Sequence, residues 1–157
     1  MVLWMANGPR PHYRDPMVSD ALPSLDTLPT FSFGDSPALA DELLDLVLGG
    51  LKTATCWSIR DGQQTEVGQY WVVLDGAGRP RAVTRTVALE QVGYEDVTAT
   101  FAFAEGEGDR SLDYWRRVHR RYFERTGGFA HDMVLWCETF RLVHIIDQSG
   151  KTGSPAV

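Results

Sequence analysis

The pattern of apolar and polar positions indicates a helix between residues 36 and 50. Ser36 and Pro37 favour a helix start, whereas Gly49 and Gly50 favour a helix end. Between them, apolar residues recur every three or four positions, which places on one helical face Leu39, Leu43, Leu44, Val47 and Leu48. The segment is therefore predicted to be an amphipathic helix.

Four later blocks are typical of β-strands. LKTATCWSIR and QYWVVLD are rich in β-branched and aromatic residues, and the second ends at the turn signal Asp75-Gly76, which predicts a hairpin. RPRAVTRTVALEQV alternates in the way a strand does. Val83, Arg85 and Val87 would point to one side, and Thr84, Thr86 and Ala88 to the other. MVLWCETFRLVHII predicts a long final strand, while YEDVTATFAFA fits a short helix less clearly.

A second helix is predicted from Leu112 to about Arg125, with Ser111 as its cap and Gly127 as its stop. Its inward side is expected to carry Leu112, Trp115, Val118, His119 and Phe123. His119 is thus expected to be a core histidine, whereas His131 lies in a loop that could approach a cleft. The order of elements predicts an α+β fold on a small, mostly antiparallel sheet or barrel.

The length of 157 residues suits one domain, and we expect it to span residues 31–146 between an extended tail at 1–30 and a flexible tail at 147–157. No apolar run approaches the roughly 20 residues that cross a bilayer. The first residues also make a poor secretory signal, so we expect a cytoplasmic location and no membrane partner. Cys56 and Cys137 form no CxxC pair and are expected to be buried free thiols.

The net charge of −6 opposes nonspecific coating of a polyanion, so any contact with nucleic acid must be local. A local basic segment exists in SLDYWRRVHRRYFER, where aromatic residues are interleaved with Arg116, Arg117, Arg120, Arg121 and Arg125. Arginines beside aromatic rings can hold phosphates and stack on bases. A helix that is arginine-rich for solubility alone gives the same pattern.

Gly50, Lys52 and Thr55 form a G-x-K-x-x-T pattern where the first helix leads into a strand. In a regular strand Lys52 and Thr55 would point to opposite sides, but in the turn after Gly50 they could converge. Residue chemistry alone favours a surface lysine with its stem packed on the protein, and a threonine that only supports the strand. The pattern is not a phosphate-binding P-loop.

Glu105, Glu107 and Asp109 alternate with glycines just before the second helix. Carboxylates crowded in a loop repel one another, which can raise a proton affinity or attract a cation. The same residues also suit a solvated turn that leads into a helix. If a metal binds here, the oxygen donors favour a hard cation such as magnesium over zinc, and no metal ligand is assigned.

In combination, FGDSPALADELLDLVLGGLKTAT, VGQYWVVLDGAGRPRAV, the EGEGDRSLDYWRR run and the last strand resemble the ASCH family, a branch of the PUA-like superfold. The resemblance covers about residues 31–146. It implies a small closed or nearly closed β-barrel, flanked by helices, with a cleft lined by Gly50, Lys52 and Thr55.

The resemblance implies three functions. ASCH domains are regarded as RNA-binding modules, some bacterial members act as ribonucleases, and a shorter branch hydrolyses cytidine acylated on its exocyclic amine. In that branch a lysine, a threonine and a glutamate act together, which here implies Lys52, Thr55 and Glu107, with Glu105 as the competing glutamate. We expect RNA binding, with cleavage of single-stranded RNA as its catalytic form, ahead of the amidohydrolase, a binding-only module or an unrelated small-ligand barrel.

Each activity makes a different demand on Lys52. As a base that activates Thr55, it would need a strongly lowered pKa, whereas in RNA cleavage it would stay charged and hold the phosphate. Substrate contacts are expected from Gly50, Trp57, Glu105, Arg116, Arg120 and Arg121. No cofactor is expected beyond a divalent cation such as magnesium.

Overall fold

The computed structural model describes residues 21–147 and the backbone of residues 152–153. Residues 1–20 of the predicted tail, with His12, lie outside the described residues. The helices are α1 (Pro37–Leu48), α2 (Ala99–Glu105) and α3 (Leu112–Arg125). The strands are β1 (Thr30–Phe31), β2 (Ala54–Ser58), β3 (Tyr70–Leu74), β4 (Pro80–Gly93), β5 (Val134–Ile146) and β6 (Thr152–Gly153). None of the described helices has both the length and the apolar character needed to cross a membrane.

The predicted first helix is confirmed, including its two ends. The hydroxyl of Ser36 accepts a hydrogen bond from the backbone nitrogen of Leu39 at 3.2 Å, and Pro37 occupies the first turn. The inward face buries Ala40, Leu43, Leu44 and Val47. Gly50 has a φ of +75°, a conformation that glycine adopts without a steric penalty, so the chain can turn sharply toward β2.

The sheet is mixed and open, so the expected closed or nearly closed barrel is wrong. Its strands follow the order β1-β3-β4-β5-β2, and β6 also pairs with β5. β1 runs parallel to β3, while the other ladders are antiparallel. β1 has only two residues, and both pair with β3. In the described part of the chain no ladder joins β1 to β2, so these two strands form the edges of the sheet.

The two faces of the sheet pack against different helices. One face, with Leu135 and Cys137, joins a core that includes Trp115 and Phe123 of α3. The other face, with Phe140, joins a core that includes Leu43, Leu44 and Val47 of α1. Cys56 and Cys137 are buried free thiols, as the sequence predicted. Side-chain alternation along β2 and β5 therefore decides which helix each side chain of these strands meets.

Candidate functional site

Lys52 is carried into the protein by the turn that follows α1. The backbone nitrogens of Leu51 and Lys52 both donate to the carbonyl oxygen of Leu46, at 2.9 and 3.1 Å. The next residue, Thr53, donates its backbone N–H to the carbonyl of Ala104 in α2 at 2.8 Å. Lys52 is only 1% exposed. The simple expectation of a surface lysine is therefore wrong, because two flanking segments hold this side chain in the interior.

The ammonium group of Lys52 contacts both glutamates of the acidic loop. Its Nζ lies 3.0 Å from Glu105 Oε2 and 3.0 Å from Glu107 Oε1, and 3.3 Å from the carbonyl oxygen of Glu105. We call Lys52, Glu105 and Glu107 the lysine cluster. The sequence left open which glutamate meets the lysine, and the structure brings both to it.

A glycine allows the acidic loop to reach the lysine. Gly106 follows the last residue of α2 with a φ of +75°, which ends the helix and redirects the chain. A Cβ atom on Gly106 would lie 2.4 Å from the carbonyl oxygen of Leu51, far inside van der Waals contact. The loop can therefore dock against residues 51 and 52 only with glycine at this position, and this docking places Glu105 and Glu107 around Lys52.

On the side of α3, Trp115 holds Glu105 by a hydrogen bond, and His119 lies next to the same carboxylate. Trp115 Nε1 donates to Glu105 Oε1 at 3.1 Å, and His119 Nε2 lies 3.6 Å from the same oxygen. His119 Nδ1 is 2.9 Å from the carbonyl oxygen of Trp115, so this nitrogen carries the proton, because a carbonyl can only accept. His119 is buried in the core, as expected, and its Nε2 faces the Glu105 carboxylate.

The charges of the lysine cluster stabilise one another. Burial by itself would lower the pKa of Lys52, but the charges and hydrogen bonds of Glu105 and Glu107 outweigh it and hold that pKa above its ordinary value. Burial by itself would raise the pKa of both glutamates, but the Lys52 charge holds each below its ordinary value. The pKa of His119 is lowered, because burial outweighs the attraction of Glu105. Lys52 therefore stays charged, which opposes its use as a base.

Thr55 makes no hydrogen bond to these groups. It is fully buried, and among the described residues its Oγ1 has no hydrogen-bond partner. Alternation along β2 places Thr55 on the opposite face from Cys56, whose thiol pKa is raised by burial and by the charge of Glu105. The structure thus joins Lys52 to Glu105 and Glu107, but it shows no hydrogen bond from Thr55 to any of them.

Glu138 stands directly opposite Thr55 in the β2–β5 ladder and was missed by the sequence reasoning. Residues paired in this way share one side of the sheet, so Thr55, Trp136 and Glu138 belong to one surface, which we call the Thr55 face. Thr86 Oγ1 donates to Glu138 Oε1 at 2.5 Å. A glutamate inside the otherwise apolar run LWCETF was the available sequence signal.

Glu138 has the electrostatic properties of a functional carboxyl group. Burial raises its pKa from 4.5 to about 7, although the hydrogen bond from Thr86 and the charge of Lys52 act in the opposite direction. The group therefore changes charge near neutral pH. Carboxyl groups with such displaced pKa values are concentrated at functional sites.

The remaining predicted contact residues lie elsewhere. Arg120 and Arg121 are exposed on the outer side of α3, whereas the inner side of that helix bears Trp115 and His119. Arg120 pairs with Glu124 of the same helix at 2.8 Å, and Arg116 Nη2 donates to the carbonyl of Glu95 at 3.3 Å. The described structure therefore does not place these arginines at the lysine cluster.

Trp57 and His131 also occupy positions unlike those expected of ligand contacts. Trp57 is buried, and its Nε1 donates to the carbonyl of Gly62 at 2.9 Å, so it supports the fold around β2. His131 is 70% exposed and lies 2.9 Å from Glu95 at the surface. Gly50 serves the turn that introduces Lys52.

The acidic loop does not form an open set of oxygen ligands. Glu105 and Glu107 both face an ammonium ion, which competes directly with a cation such as magnesium. Within residues 21–147, the group of side chains close enough to share a metal is Cys56, Glu105 and His119, with ligand atoms within 4.8 Å of one another. Its sulfur and nitrogen donors differ from the all-oxygen set that magnesium prefers.

Comparison with known proteins identifies relatives of the whole folded region. A family model described as the ASCH domain matches residues 29–144. An ASCH domain from Lactobacillus crispatus JV V101 has a crystal structure with a TM-score of 0.66 and 31% sequence identity, over 72% of this chain and 77% of that one. Protein EF3133 from Enterococcus faecalis V583 has a TM-score of 0.64 and 36% identity, over 74% of this chain and 80% of that one. No curated protein matches the chain.

Proposed function

Since the chain belongs to the ASCH domain family, we propose that it binds single-stranded RNA or nucleosides in the region between the lysine cluster and the Thr55 face. The observation that carries this proposal is the buried ammonium of Lys52, which is held by two carboxylates and whose charge also acts on a third carboxyl group, the buried Glu138. A protein seldom maintains so many ionisable groups in its interior for stability alone, because burying them costs free energy.

The charge balance of the cluster favours contact with a base or a ribose over contact with a phosphate. Two carboxylates lie 3.0 Å from the single ammonium of Lys52, so the three groups together carry a net negative charge. A phosphate at this position would be repelled, whereas N–H and hydroxyl donors would be attracted. Lys52 therefore orients Glu105 and Glu107, and the phosphates of the RNA remain outside.

The exposed arginines of α3 are the proposed phosphate contacts. Arg120 and Arg121 are exposed, and the chain as a whole is acidic, so these residues supply local positive charge. The pairing of Arg120 with Glu124 is solvent-exposed and therefore weak, so a phosphate can replace it. We also propose a cytoplasmic location, because the reducing cytoplasm keeps cysteines such as Cys56 and Cys137 in the free thiol form.

Both catalytic alternatives remain proposals with specific requirements. RNA cleavage is compatible with a charged Lys52, but the carboxylates, rather than the lysine, would face the substrate. Hydrolysis of acylated cytidine is favoured by the Lys52–Glu107 contact at 3.0 Å. It is opposed by the raised pKa of Lys52, because an ammonium cannot take a proton from Thr55.

The test is fluorescence anisotropy with labelled single-stranded RNA at several salt concentrations. Removing two phosphate contacts in the double variant Arg120→Ala, Arg121→Ala should reduce the salt slope of log Kd by about 1.4, since each single-strand phosphate contact contributes about 0.7. Arg141→Ala, an exposed arginine on β5, is the matched control and should leave the slope unchanged.

The possible results separate the proposals. Absence of RNA binding by the wild-type protein would refute the proposed function, and an unchanged slope in the double variant would refute only the role of the helix. Incubation of the RNA with and without magnesium, and of acylated cytidine, then distinguishes a binding module from either hydrolase. Activity that disappears in Thr55→Val would identify a catalytic site.

A further inference from the structure

Three side chains of the kinds that bind transition metals meet in the interior of the protein. Cys56 comes from β2, Glu105 from the end of α2 and His119 from α3. Their sulfur, oxygen and nitrogen ligand atoms all lie within 4.8 Å of one another, and none of the three residues is more than 1% exposed. Tetrahedral zinc separates its ligands by about 3.5 Å, so each atom needs to move by less than about 1 Å to bind it.

The ring of His119 has the orientation of a metal ligand. Its Nδ1 lies 2.9 Å from the carbonyl oxygen of Trp115, whereas its buried Nε2 has no hydrogen-bond partner within residues 21–147. Nε2 is 3.6 Å from Glu105 Oε1, which is too long for a hydrogen bond but close to the spacing of two zinc ligands. Metal-binding histidines commonly donate their other ring N–H to a carbonyl or carboxylate. Because buried polar atoms are almost always paired, Nε2 indicates a bound group that takes its lone pair.

The thiol of Cys56 and the carboxylate of Glu105 complete the donor set. The thiol donates a hydrogen bond to the carboxylate. Its proton lies between sulfur and oxygen, where a metal ion would replace it, because metals bind the thiolate and release the proton. Glu105 Oε1 also accepts from Trp115 Nε1 at 3.1 Å, which leaves room for a metal bond because a carboxylate oxygen has two lone pairs.

The charges around these side chains suit a divalent cation. Lys52 and the two glutamates of the lysine cluster carry one net negative charge together. A zinc ion bound to the Cys56 thiolate would bring this buried group of charges to neutrality. Lys52 Nζ contacts Oε2 of Glu105, whereas His119 faces Oε1, so the ammonium and a metal ion would contact different oxygens.

A cavity leads from the surface toward Cys56. Its volume is about 370 Å³, and its lining includes the exposed carboxyl groups of Glu90 and Asp96 as well as the inner residue Cys137. Cys137 stands directly opposite Cys56 in the β2–β5 ladder. Side chains paired in this way lie about 5 Å apart on one side of the sheet. A cation attracted by the two carboxylates can therefore approach Cys56 past Cys137, and water can follow it.

We infer that Cys56, Glu105 and His119 form a zinc-binding site with a fourth position open to water. Thiolate, imidazole and carboxylate are the ligands that zinc takes in proteins, and three protein ligands with one water are typical of its catalytic sites. Magnesium prefers oxygen donors alone and is expected to bind poorly here. The inference goes beyond the proposed function and does not depend on RNA binding.

The experiment titrates the untagged, full-length protein with Zn²⁺ in competition with a chromophoric chelator, after bound metals have been removed. The wild-type protein is expected to bind one zinc ion per chain, and an excess of Mg²⁺ should not displace it. Cys56→Ser and His119→Gln should each weaken zinc binding by more than about 100-fold, because loss of even an outer-shell partner costs about 10- to 100-fold. The matched control is Cys137→Ser, which removes the other buried thiol and should leave zinc binding unchanged.

A second measurement replaces zinc by Co²⁺ in the wild-type protein, so it does not depend on the folding of a variant. The bound cobalt should show a thiolate-to-metal charge-transfer band in the near ultraviolet and the intense visible bands of a four-coordinate ion. Absence of these bands, zinc binding that survives in Cys56→Ser, or an equal loss in Cys137→Ser overturns the inference and leaves the proposed RNA binding untouched. Circular dichroism of each variant separates loss of the site from loss of the fold.

Discussion

Replacing Glu138 by glutamine tests directly whether burial destabilises the ionised form of this carboxyl group, as the structure indicates. Glutamine keeps the shape of the side chain and an oxygen for the Thr86 hydrogen bond, but it removes the charge. In the wild-type protein, burial raises the pKa of Glu138 from 4.5 to about 7, in spite of Thr86 and Lys52. The folded protein therefore binds this proton more tightly than the unfolded chain does.

The expected effect on stability follows from proton linkage. Between pH 4.5 and 7 the folded state holds more protons at this site, so the Glu138 contribution to the free energy of unfolding falls as the pH rises. Above pH 7 the ionised group lowers wild-type stability by about 3 kcal/mol, at roughly 1.4 kcal/mol per pH unit. The free energy of unfolding of Glu138→Gln, relative to that of the wild type, should therefore increase by about 3 kcal/mol when the pH is raised from 4.5 to 8.

The assay is urea denaturation, followed by tryptophan fluorescence, of both proteins at pH 4.5 and pH 8. Taking the difference between variant and wild type cancels the titration of the other carboxyl groups. The matched control is Glu90→Gln, which removes one exposed carboxyl group from the same sheet and leaves Glu138 in place. A stability difference for Glu138→Gln that is equal at the two pH values, within about 0.5 kcal/mol, would refute the reasoning.

Two further substitutions test the lysine cluster. Lys52→Met leaves Glu105 buried without its cation and should destabilise the protein by about 3 to 5 kcal/mol at pH 7 in urea denaturation; a loss below about 1 kcal/mol would contradict the buried ion pair. Gly106→Ala forces a Cβ to 2.4 Å from the Leu51 carbonyl, so its thermal midpoint should fall well below that of Gly50→Ala, which has the same φ of +75° but no atom within 4 Å. Equal midpoints for the two glycine variants would show that the close approach does not matter.

Local sequence patterns predicted the main elements because local interactions determine them. Ser36, Pro37 and the paired glycines bounded α1 correctly, and alternation with turn residues located β3 and β4. The expected barrel was wrong because closure requires β1 and β2 to pair, and two residues of β1 pair only with β3. No local pattern reports on which distant strands meet.

The sequence by itself determined the helix and strand periods, the G-x-K-x-x-T pattern and the acidic loop, since each depends on neighbouring residues. Only the tertiary structure decided that Lys52 is buried between Glu105 and Glu107, and that Thr55 faces Glu138 across a ladder. The separation along the chain explains this division: Lys52 and Glu105 are 53 residues apart. Their contact depends on a glycine's close approach and on the packing of α2 and α3, and a carboxyl pKa near 7 arises only once the fold has excluded water.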